Sequence, residues 1–510
     1  MRSRFSGAAA VLPAFVAACT AWLTRRRFSG LVAISRDGAT TLGTQIEGQL
    51  RTAVRSGSLQ PGVQLPSTRD LARELGISRR VVVGAYAQLA AEGYLVLRQG
   101  ARPAVARLPL AAAAADDPLP APIRHRYDFR LNRPDVSAFP RTAWLRSLRD
   151  ALATISDSEL GYGDARGVDR LRTALSAYLG RVRGVVSDPS QLLVTCGSME
   201  GQGLVFRVLA AQGARRIAFE DPCLPDHRRV AERAGLVPVP IEVDRAGIRV
   251  DELRRADVSA VVLTPAHQHP TGAVLSGERR AALLDWLRET GAVAIEDDYD
   301  AEFRYDRAAI GSLQGLDPER IVYAGTASKT LAPGLRLGWL VAPLRLVAPL
   351  HEEKLMLDRG NARIEQLAFA DVLLRGEYDR HLRRRRSRYR RRRDALLAAL
   401  DRELPEAEID GIAAGLHATV RLPAGDDEQA ILAEGARRRL GLAALGDFRV
   451  ARRDEPATLL LGYGQLPEPA IAAGVAELGE TVRAARQASG GRRSGKRGRP
   501  SSGISSQDAA

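Results

Sequence analysis

Short apolar runs alternate with amphipathic stretches between residue 128 and about residue 480. Five of the runs have the length and bounding residues of buried strands: LLVT (192–195), RIAFE (216–220), AVVLTP (260–265), AVAIEDD (292–298) and IVYAGT (321–326). Between them, stretches such as ERRAALLDWLRETG (278–291) repeat apolar residues at helical spacing. This alternation predicts an α/β domain whose mostly parallel sheet carries helices on both faces.

A different pattern occupies residues 36–107. The stretch STRDLARELGISRRVVVGAYAQLAAEG (67–93) predicts two helices around a tight turn, the first capped by Ser67 and the second by Ser78. Two short strands around Gly100 follow. The order of these elements predicts a winged helix-turn-helix domain.

The charge of the chain favours a polyanionic partner, because the net charge is +15 and the pI is about 10.3. Arg79 and Arg80 project from the first turn of the second helix, which is where a recognition helix enters the major groove. Arg98 and Arg102 flank the turn between the two short strands. We therefore predict that this region binds double-stranded DNA. The alternative is a helical hairpin with a solvated basic face.

Composition divides the rest of the chain. Residues 108–127 hold prolines and an alanine run and predict a linker, whereas residues 481–510 predict a basic disordered tail. Residues 1–35 are interpreted as an extension outside the folded part. Its apolar stretch 8–23 is too short to span a bilayer, and three arginines follow where a cleavage site would lie, although export is the alternative. Three cysteines without a CxxC pair argue against disulfides and zinc, so we predict a cytoplasmic protein.

Lys329 is the first candidate for an amine nucleophile, because only three of the 75 basic residues are lysines. It lies between a predicted buried strand and a Pro-Gly turn, which favours partial desolvation. A desolvated lysine amine can lose its proton and react with a carbonyl group, whereas arginine cannot. Thr326, Ser328 and Arg336 lie nearby and suit a phosphate monoester. A surface lysine in a loop is the alternative.

Two further motifs end predicted strands. In AVAIEDDYDAEF (292–303), Asp297 can hold a pyridinium nitrogen protonated, and Tyr299 can bond a phenolic oxygen of the same ring. The alternative is that these acidic residues bind a metal ion. In TCGSMEGQG (195–203), the backbone N–H groups of Ser198 and Met199 would point at an anion on a helix N-terminus.

Residues 41–107 resemble the winged helix-turn-helix of GntR-type regulators, through the sequence SGSLQPGVQLPSTRDLARELGISRRVVVGAY. The resemblance implies that the following residues contact DNA: Arg69, Ser78, Arg79 and Arg80 on the helices, and Arg98 and Arg102 on the wing. Ala101 stands where the family usually has a second wing-tip glycine, so the wing contacts are less firmly implied than those of the helices.

Residues 128–480 resemble the fold-type I aminotransferases, through GYGDARGVDRLRTALSAYL (161–179), TPAHQHPTG (264–272), IEDDYDAEF and SKTLAPGLRLG. Together with the DNA-binding region, this order resembles the MocR family of transcriptional regulators. The resemblance implies pyridoxal 5′-phosphate in a Schiff base with Lys329. It implies these further contacts: Asp297 at the ring nitrogen, Tyr299 and His269 near the phenolic oxygen, Ser198, Met199, Thr326 and Arg336 at the phosphate, Leu224 beside the ring, and Tyr162 at the phosphate of a neighbouring subunit in a homodimer.

Two positions depart from the aminotransferase pattern. Leu224 replaces the aromatic residue that usually stacks on the cofactor ring, which removes about 0.5–1.5 kcal/mol of stacking interaction. Leu460 replaces the arginine that usually binds the substrate carboxylate, unless Arg449 or Arg452 takes its place. Both changes weaken the case for transamination more than the case for cofactor binding.

Two basic runs lie outside these motifs. HLRRRRSRYRRRRDALLAAL (381–400) is interpreted as a helix with a solvated arginine face, with DNA contact as the alternative. The tail GGRRSGKRGRP (490–500) contains Arg-Gly-Arg-Pro, which resembles an AT-hook core that can lie in the minor groove; the alternative is a merely basic tail.

The sequence therefore predicts a DNA-binding transcriptional regulator whose aminotransferase-like domain senses pyridoxal 5′-phosphate, an amine or an amino acid. The alternative is an active pyridoxal phosphate-dependent aminotransferase that also binds DNA. The predicted partners are operator DNA, the small ligand and a second copy of the chain, with no membrane and no metal.

Overall fold

The computed structural model describes residues 32–36, 40–107, 124–300, 302–305, 310–450 and 455–495. The chain divides into two compact units between residues 122 and 123, and each unit has its own hydrophobic core. Within the described ranges, no helix has both the length and the apolar character needed to cross a bilayer.

The smaller unit consists of three helices and a two-stranded antiparallel sheet. Its elements are α1 (Leu42–Arg55), α2 (Thr68–Glu74), α3 (Arg79–Ala91), β1 (Leu95–Val96) and β2 (Ala104–Val105). The helices bury apolar residues that recur at helical spacing, among them Ile46, Leu50, Val82, Tyr86 and Leu89. The predicted winged helix-turn-helix architecture is confirmed.

Two local predictions about this unit need correction. Ser67 caps α2 by accepting the N–H of Asp70 at 3.2 Å, but Ser78 precedes α3 without a capping hydrogen bond from its side chain, which stays exposed. The unit also begins before residue 36. The Gln49 side chain bonds both the N–H and the carbonyl of Ala33, at 2.8 and 2.6 Å, so residues 32–36 belong to the unit.

The larger unit is built on an eight-stranded sheet. In chain order its strands are β4 (Leu192–Thr195), β5 (Arg216–Asp221), β6 (Val237–Asp244), β7 (Gly247–Ile248), β8 (Ala260–Leu263), β9 (Val293–Asp298), β10 (Ile321–Thr326) and β11 (Gly338–Val341). Their spatial order is β4-β11-β10-β9-β8-β5-β6-β7. The neighbours from β10 to β6 run parallel, as the sequence predicted, whereas β11 is antiparallel to both of its neighbours.

Helices cover both faces of this sheet. They are α4 (Arg141–Thr154), α5 (Asp157–Leu160), α6 (Asp169–Arg183), α7 (Ser198–Ala211), α8 (Pro225–Arg233), α9 (Val250–Arg255), α10 (Gly277–Thr290), α11 (Leu344–Leu357), α12 (Arg363–Leu374) and α13 (Glu377–Glu403). Because successive side chains of a strand point to opposite faces, Tyr323 packs in the cluster of α4, α6 and α12, while Val322 packs in the cluster of α7 and α11. The predicted α/β layering is confirmed.

A second, smaller sheet lies towards the C-terminus of this unit. Its strands are β12 (Glu408–Asp410), β13 (His417–Arg421), β15 (Ala443–Ala444) and β16 (Thr458–Gly462), all in antiparallel pairs. Around it lie α14 (Glu428–Arg437), β14 (Leu440–Gly441), which pairs with β3 (Tyr127–Asp128), and the last helix, α15 (Glu468–Gly495). Apolar side chains of α13, β13, β16 and α15 form a common core.

The predicted linker and tail are both shorter than the sequence suggested. Residues 124–127 belong to the larger unit, since the N–H of Arg126 donates to the carbonyl of Arg439 at 2.8 Å and β3 follows directly. At the other end, α15 continues through Gly495, beyond the residue 480 at which the tail was predicted to begin. Residues 108–123 and 496–510, with the Arg-Gly-Arg-Pro sequence, lie outside the described residues.

The arginine run on α13 forms a solvated face only in part, because Arg383, Arg384, Arg390 and Arg391 are exposed but other arginines of the run are not. Arg385 and Arg392 are buried, and Arg385 bonds the carbonyl of Asp135. The Asp135 carboxylate accepts from Arg392 at 2.8 Å and from Arg388 at 3.0 Å. Other arginines of the run donate to backbone carbonyls, as Arg386 does to Glu302 at 2.8 Å. Hydrogen bonds and ion pairs of these arginines therefore hold α13 against neighbouring segments.

Candidate functional site

A cavity of about 260 Å³ lies at the carboxyl ends of β5, β8, β9 and β10. Parallel strands end at the same edge of a sheet, so residues far apart in sequence meet there. Nine of the ten predicted cofactor residues line it: Ser198, Met199, Leu224, His269, Asp297, Tyr299, Thr326, Lys329 and Arg336. The cavity is where the three sequence motifs converge.

The Lys329 side chain is in the partly desolvated environment that the sequence predicted. It follows the buried β10, and its Nζ donates to the carbonyl oxygen of Asn132 at 3.0 Å. Burial lowers the pKa of Lys329 to about 8, against the opposing effect of the Asp300 and Asp297 carboxylates. At pH 7 about a tenth of this amine is therefore unprotonated, far more than for a solvated lysine, and this neutral form can act as a nucleophile.

Asp297 is the next-to-last residue of β9 and lies on the wall of the cavity. Its Oδ2 accepts from Nε2 of Gln202 at 2.9 Å, while its Oδ1 is buried without a hydrogen-bond partner within the described chain. Burial raises the pKa of this carboxyl to about 7, although the hydrogen bond from Gln202 opposes the rise. A buried acceptor that lacks a partner fits a protonated ring nitrogen.

The Tyr299 hydroxyl belongs to a buried polar cluster beside Asp297. It lies 2.9 Å from Nδ1 of His267, and that nitrogen is 3.1 Å from Oδ2 of Asp300. His269 lies next to the tyrosine, its ring centroid 5.4 Å away, and burial lowers the pKa of His269 well below its usual value. His269 is therefore a neutral polar group at neutral pH, which suits contact with the phenolic oxygen of a bound ring.

An anion cradle forms the other end of the cavity. Gly197 has φ 95°, a conformation that favours glycine, and α7 begins at Ser198 without a side-chain cap on its first N–H groups. The guanidinium of Arg336 lies against Gly197 and donates to the carbonyl of Cys196. Uncapped N–H groups at a helix N-terminus, beside an arginine, form an environment that binds phosphate. Thr326 and Ser328 add hydroxyls that bond each other at 2.9 Å.

The acidic run before Tyr299 does not gather into a metal site. Glu296 accepts the N–H groups of Leu313 and Gln314, and Asp298 pairs with Arg183 at 2.7 Å. A different trio, His267, Asp300 and His417, has its possible ligand atoms within 4.8 Å of one another. His267 and Asp300 bond each other, however, and Nε2 of His417 bonds the carbonyl of Pro270 at 2.9 Å.

Tyr162 lies outside the cavity. Its side chain is 87% exposed and borders a separate cleft, with the guanidinium of Arg359 5.6 Å from its ring. A residue that acts on a neighbouring subunit would be exposed in one chain, and its predicted role stays a prediction.

The two departures from the aminotransferase pattern belong to one apolar cluster. Leu460 is fully buried in it with Leu131 and Phe448 and is not among the described residues that line the cavity. Leu224 packs against this cluster and lies on the cavity wall. Of the two candidate replacements, Arg449 is paired with Glu455 at 2.7 Å, and Arg452 lies outside the described residues.

Several residues of the site were not anticipated from the sequence. Asn132, Gln202 and His227 line or support the cavity. Asn132 reaches it on a turn with φ 65°, and its Nδ2 lies 3.3 Å from Nε2 of His269. One signal was available, because four of the seven histidines in the chain gather here: His227, His267, His269 and His417.

In the smaller unit, the predicted DNA-contacting residues and one apolar side chain of α3 are exposed. Arg69, Ser78, Arg79, Arg80, Arg98 and Arg102 are all exposed. Arg79 also donates to the hydroxyl of Thr68 at 3.3 Å, which ties the start of α3 to the start of α2. Val83 lies one turn further along α3 and is 43% exposed.

Comparison with known families agrees with both units. Residues 42–105 match the bacterial regulatory proteins of the gntR family, and residues 129–429 match aminotransferase class I and II. The chain is 30% identical to the probable rhizopine catabolism regulatory protein MocR of Rhizobium meliloti over 413 residues, which cover 77% of this chain and 84% of that protein. The chain belongs to the MocR family of GntR-type regulators. It is therefore a DNA-binding transcriptional regulator with an aminotransferase-like domain.

Other members and neighbours of this family extend the likeness. The chain is 30% identical to the pyridoxine biosynthesis transcriptional regulator PdxR of Corynebacterium glutamicum, over 88% of this chain and 98% of that protein. Its fold resembles the multiple substrate aminotransferase of Thermococcus profundus, with a TM-score of 0.65 and 25% identity, over 72% of this chain and 93% of that one. Fold-type I aminotransferases use pyridoxal phosphate.

Proposed function

We propose that this MocR-family regulator binds pyridoxal 5′-phosphate covalently at Lys329 and that binding changes its affinity for operator DNA. The observation that carries the proposal is the composition of one cavity. A lysine amine of lowered pKa, a buried carboxylate oxygen without a partner in the described chain, and an uncapped helix N-terminus line the same space. These three groups match the aldehyde, the ring nitrogen and the phosphate of the cofactor.

Each part of the cavity has a separate role in this proposal. Bound pyridoxal phosphate supplies an electron sink. Ser198, Met199, Thr326 and Arg336 bind its phosphate, and Asp297 keeps the ring nitrogen protonated. Tyr299 and His269 orient the phenolic oxygen, while Leu224 packs on the ring.

The ligand that the regulator senses is proposed to be the cofactor itself or an amine. Lys329 and Arg336 are the only lysine and arginine side chains among the described residues that line the cavity, and both are used by the cofactor. Leu460 has no charged group to bind an α-carboxylate, and Arg449 is paired with Glu455. The relationship to a regulator named for pyridoxine biosynthesis agrees with cofactor sensing.

A second copy of the chain is the other proposed partner. Several large apolar side chains of the larger unit are exposed to solvent, and a subunit interface would bury them. They are Leu145, Leu152, Leu160, Met356, Leu357 and Leu374. Tyr162, which borders the same unit's second cleft, would then reach the phosphate of the neighbouring subunit. Because its target is chromosomal DNA, we place this regulator in the cytoplasm.

The test of cofactor binding is spectroscopic. Purified protein mixed with pyridoxal phosphate should develop an absorption band in the visible range, and Lys329→Met should abolish it while keeping circular dichroism and DNA binding. Lys354→Met is the matched control, because Lys354 is fully buried and pairs with Glu200 and Asp358 at 2.7 and 2.9 Å. A band that survives in Lys329→Met, or that Lys354→Met alone abolishes, would refute the assignment.

The alternative function is an active aminotransferase that also binds DNA. The joint presence of Lys329, Asp297 and Tyr299 at one cavity is the observation that favours it. Amino acids added to the protein–pyridoxal phosphate complex would then bleach the visible band and release a keto acid. A stable band across a panel of amino acids and amines supports the regulator without turnover.

A further inference from the structure

The Asp297 carboxylate is bonded by the protein on one side only. Its Oδ2 accepts from Nε2 of Gln202 at 2.9 Å, and its Oδ1 is buried with no partner in the described chain. A carboxylate can rotate about its last bond, so a hydrogen bond to one oxygen decides where the other oxygen points. The hydrogen bond from Gln202 thus leaves Oδ1 for a group in the cavity.

Gln202 is placed on the helix that also forms the anion cradle. It lies on α7 one turn after Ser198, and its side chain is 1% exposed among apolar neighbours on the same helix. Its Oε1 has no hydrogen-bond partner in the part of the chain that the structure describes. A buried amide costs free energy unless it is hydrogen-bonded, and the one bond recorded for this amide is to Asp297.

His227 is the competing neighbour of the same carboxylate. Its Nε2 lies 3.8 Å from Oδ2 of Asp297, which is beyond hydrogen-bond distance. Burial lowers the pKa of His227 to about 4, so the imidazole is neutral at pH 7 and contributes no charge attraction. Gln202 is therefore the group that bonds Asp297 directly.

We propose that Gln202 is a positioning residue that holds Asp297 ionised and turns its Oδ1 towards the ring nitrogen of bound pyridoxal phosphate. The inference rests on the proposed cofactor site. Burial and the neighbouring Asp298 both oppose the charge on Asp297, and a donated hydrogen bond to the ionised form opposes them. Without it, Asp297 holds its own proton more often and the ring nitrogen is protonated less often.

The charge on the ring nitrogen has a measurable consequence at the other end of the cofactor. Positive charge on the ring nitrogen disfavours a proton on the nitrogen that links the ring to Lys329, because like charges on one conjugated system repel. If Asp297 is ionised less often, the ring nitrogen is protonated less often, and this repulsion is reduced. The pH at which the linking nitrogen loses its proton, read from the visible band, then moves upwards.

The experiment compares full-length wild type, Gln202→Met, His227→Phe and Asp297→Asn, each saturated with pyridoxal phosphate. Methionine keeps the length of glutamine and removes the donor. We expect Gln202→Met to raise the pH midpoint of the visible band by about one unit, since a hydrogen bond to an ionised group is worth that much. Asp297→Asn should move it further in the same direction, and His227→Phe should move it much less.

A second ligand distinguishes a loss of Asp297 positioning from a packing defect caused by Gln202→Met. Pyridoxal phosphate methylated on the ring nitrogen carries a fixed positive charge that Asp297 no longer controls. With this analogue, wild type and Gln202→Met should have the same midpoint, whereas a packing defect would keep them apart. If Gln202→Met fails to fold, Gln202→Leu removes the same donor and is measured in its place.

The outcomes are distinguishable. An unchanged midpoint in Gln202→Met, or an equal shift in His227→Phe, overturns the role of Gln202 and leaves cofactor binding intact. A wild-type protein that develops no visible band at all refutes the proposed cofactor site, and the role of Gln202 falls with it.

Discussion

At the scale of single residues, the environment of Lys329 changes what its amine can do. A solvated lysine is almost wholly protonated at pH 7, but burial lowers the pKa of Lys329 to about 8, with Asp300 and Asp297 limiting the fall. The structure therefore combines a nucleophile that is active near neutral pH with two carboxylates that keep it from losing its charge altogether.

This environment predicts a pH dependence for cofactor capture. Only the neutral amine attacks the aldehyde, so the initial rate should rise about fivefold between pH 7 and pH 8 and level off above about pH 9, as the neutral fraction saturates. The measurement is the rate at which the visible band appears, divided by the rate for a model lysine peptide at the same pH. With a pKa of about 8 this normalised rate should fall steadily up to pH 10, because the peptide amine is still gaining its neutral form after Lys329 has lost its proton. A normalised rate that stays constant over this range would show that Lys329 titrates as a solvated amine.

The sequence predicted the reacting residues of the site better than the residues that support them. Lys329 and Ser198 each follow a strand and Asp297 lies at the end of one, and strand ends meet in an α/β sheet, so their meeting could be inferred from order alone. Gln202 and Asn132 reach the site through the packing of one helix and through a left-handed turn. Neither placement leaves a periodic pattern in the sequence.

At the scale of elements, α13 shows how an arginine run can be structural. A charge run on a long helix is typical of a solvated face, yet Arg385 and Arg392 are buried here and converge on Asp135. Burial alone would raise the pKa of Asp135, but hydrogen bonds from Ser137 and Arg388 and the nearby arginines hold it at about 2. The partner carboxylate is some 250 residues away in sequence, so the sequence did not reveal the pairing.

Removing this carboxylate should destabilise the larger unit. Asp135→Asn leaves buried arginine charge uncompensated, which costs about 3–5 kcal/mol of unfolding free energy. The pKa of Asp135 is lower in the folded than in the unfolded state, so its contribution is complete above about pH 4 and is lost as the pH falls towards 2. Denaturant unfolding of wild type and variant should therefore differ at pH 7 and converge in acid. Equal stabilities at pH 7 would contradict the structural role of the run.

The recognition helix α3 is the second element with a testable role. Arg79→Ala and Arg80→Ala should each weaken specific DNA binding by about 1–3 kcal/mol, provided that each arginine contacts a base. Arg55→Ala is the matched control, since Arg55 is also exposed but lies in the last turn of α1. The measurement is an operator titration at several salt concentrations. A loss in Arg55→Ala equal to that in Arg80→Ala would indicate a general charge effect instead of base contacts.

At the scale of the whole molecule, the chain joins a DNA-binding unit to an aminotransferase-like unit with the proposed cofactor site, and the proposed regulation requires the two to be coupled. A ligand shifts an equilibrium only if it binds the DNA-competent and DNA-incompetent forms with different affinity. Coupling is also reciprocal, so operator DNA must change the apparent affinity for pyridoxal phosphate by the same factor.

A pair of titrations tests this coupling. We expect pyridoxal phosphate to change operator affinity about 5- to 150-fold in wild type, which is the usual range of allosteric coupling, and not at all in Lys329→Met. The converse titration should return the same factor within error, from the visible band measured with and without operator DNA. If the larger unit forms the proposed dimer, the operator should contain two half-sites, and altering their spacing should change wild-type binding. Identical operator affinity in wild type and Lys329→Met, with and without cofactor, would refute sensing and favour an aminotransferase that is only tethered to DNA.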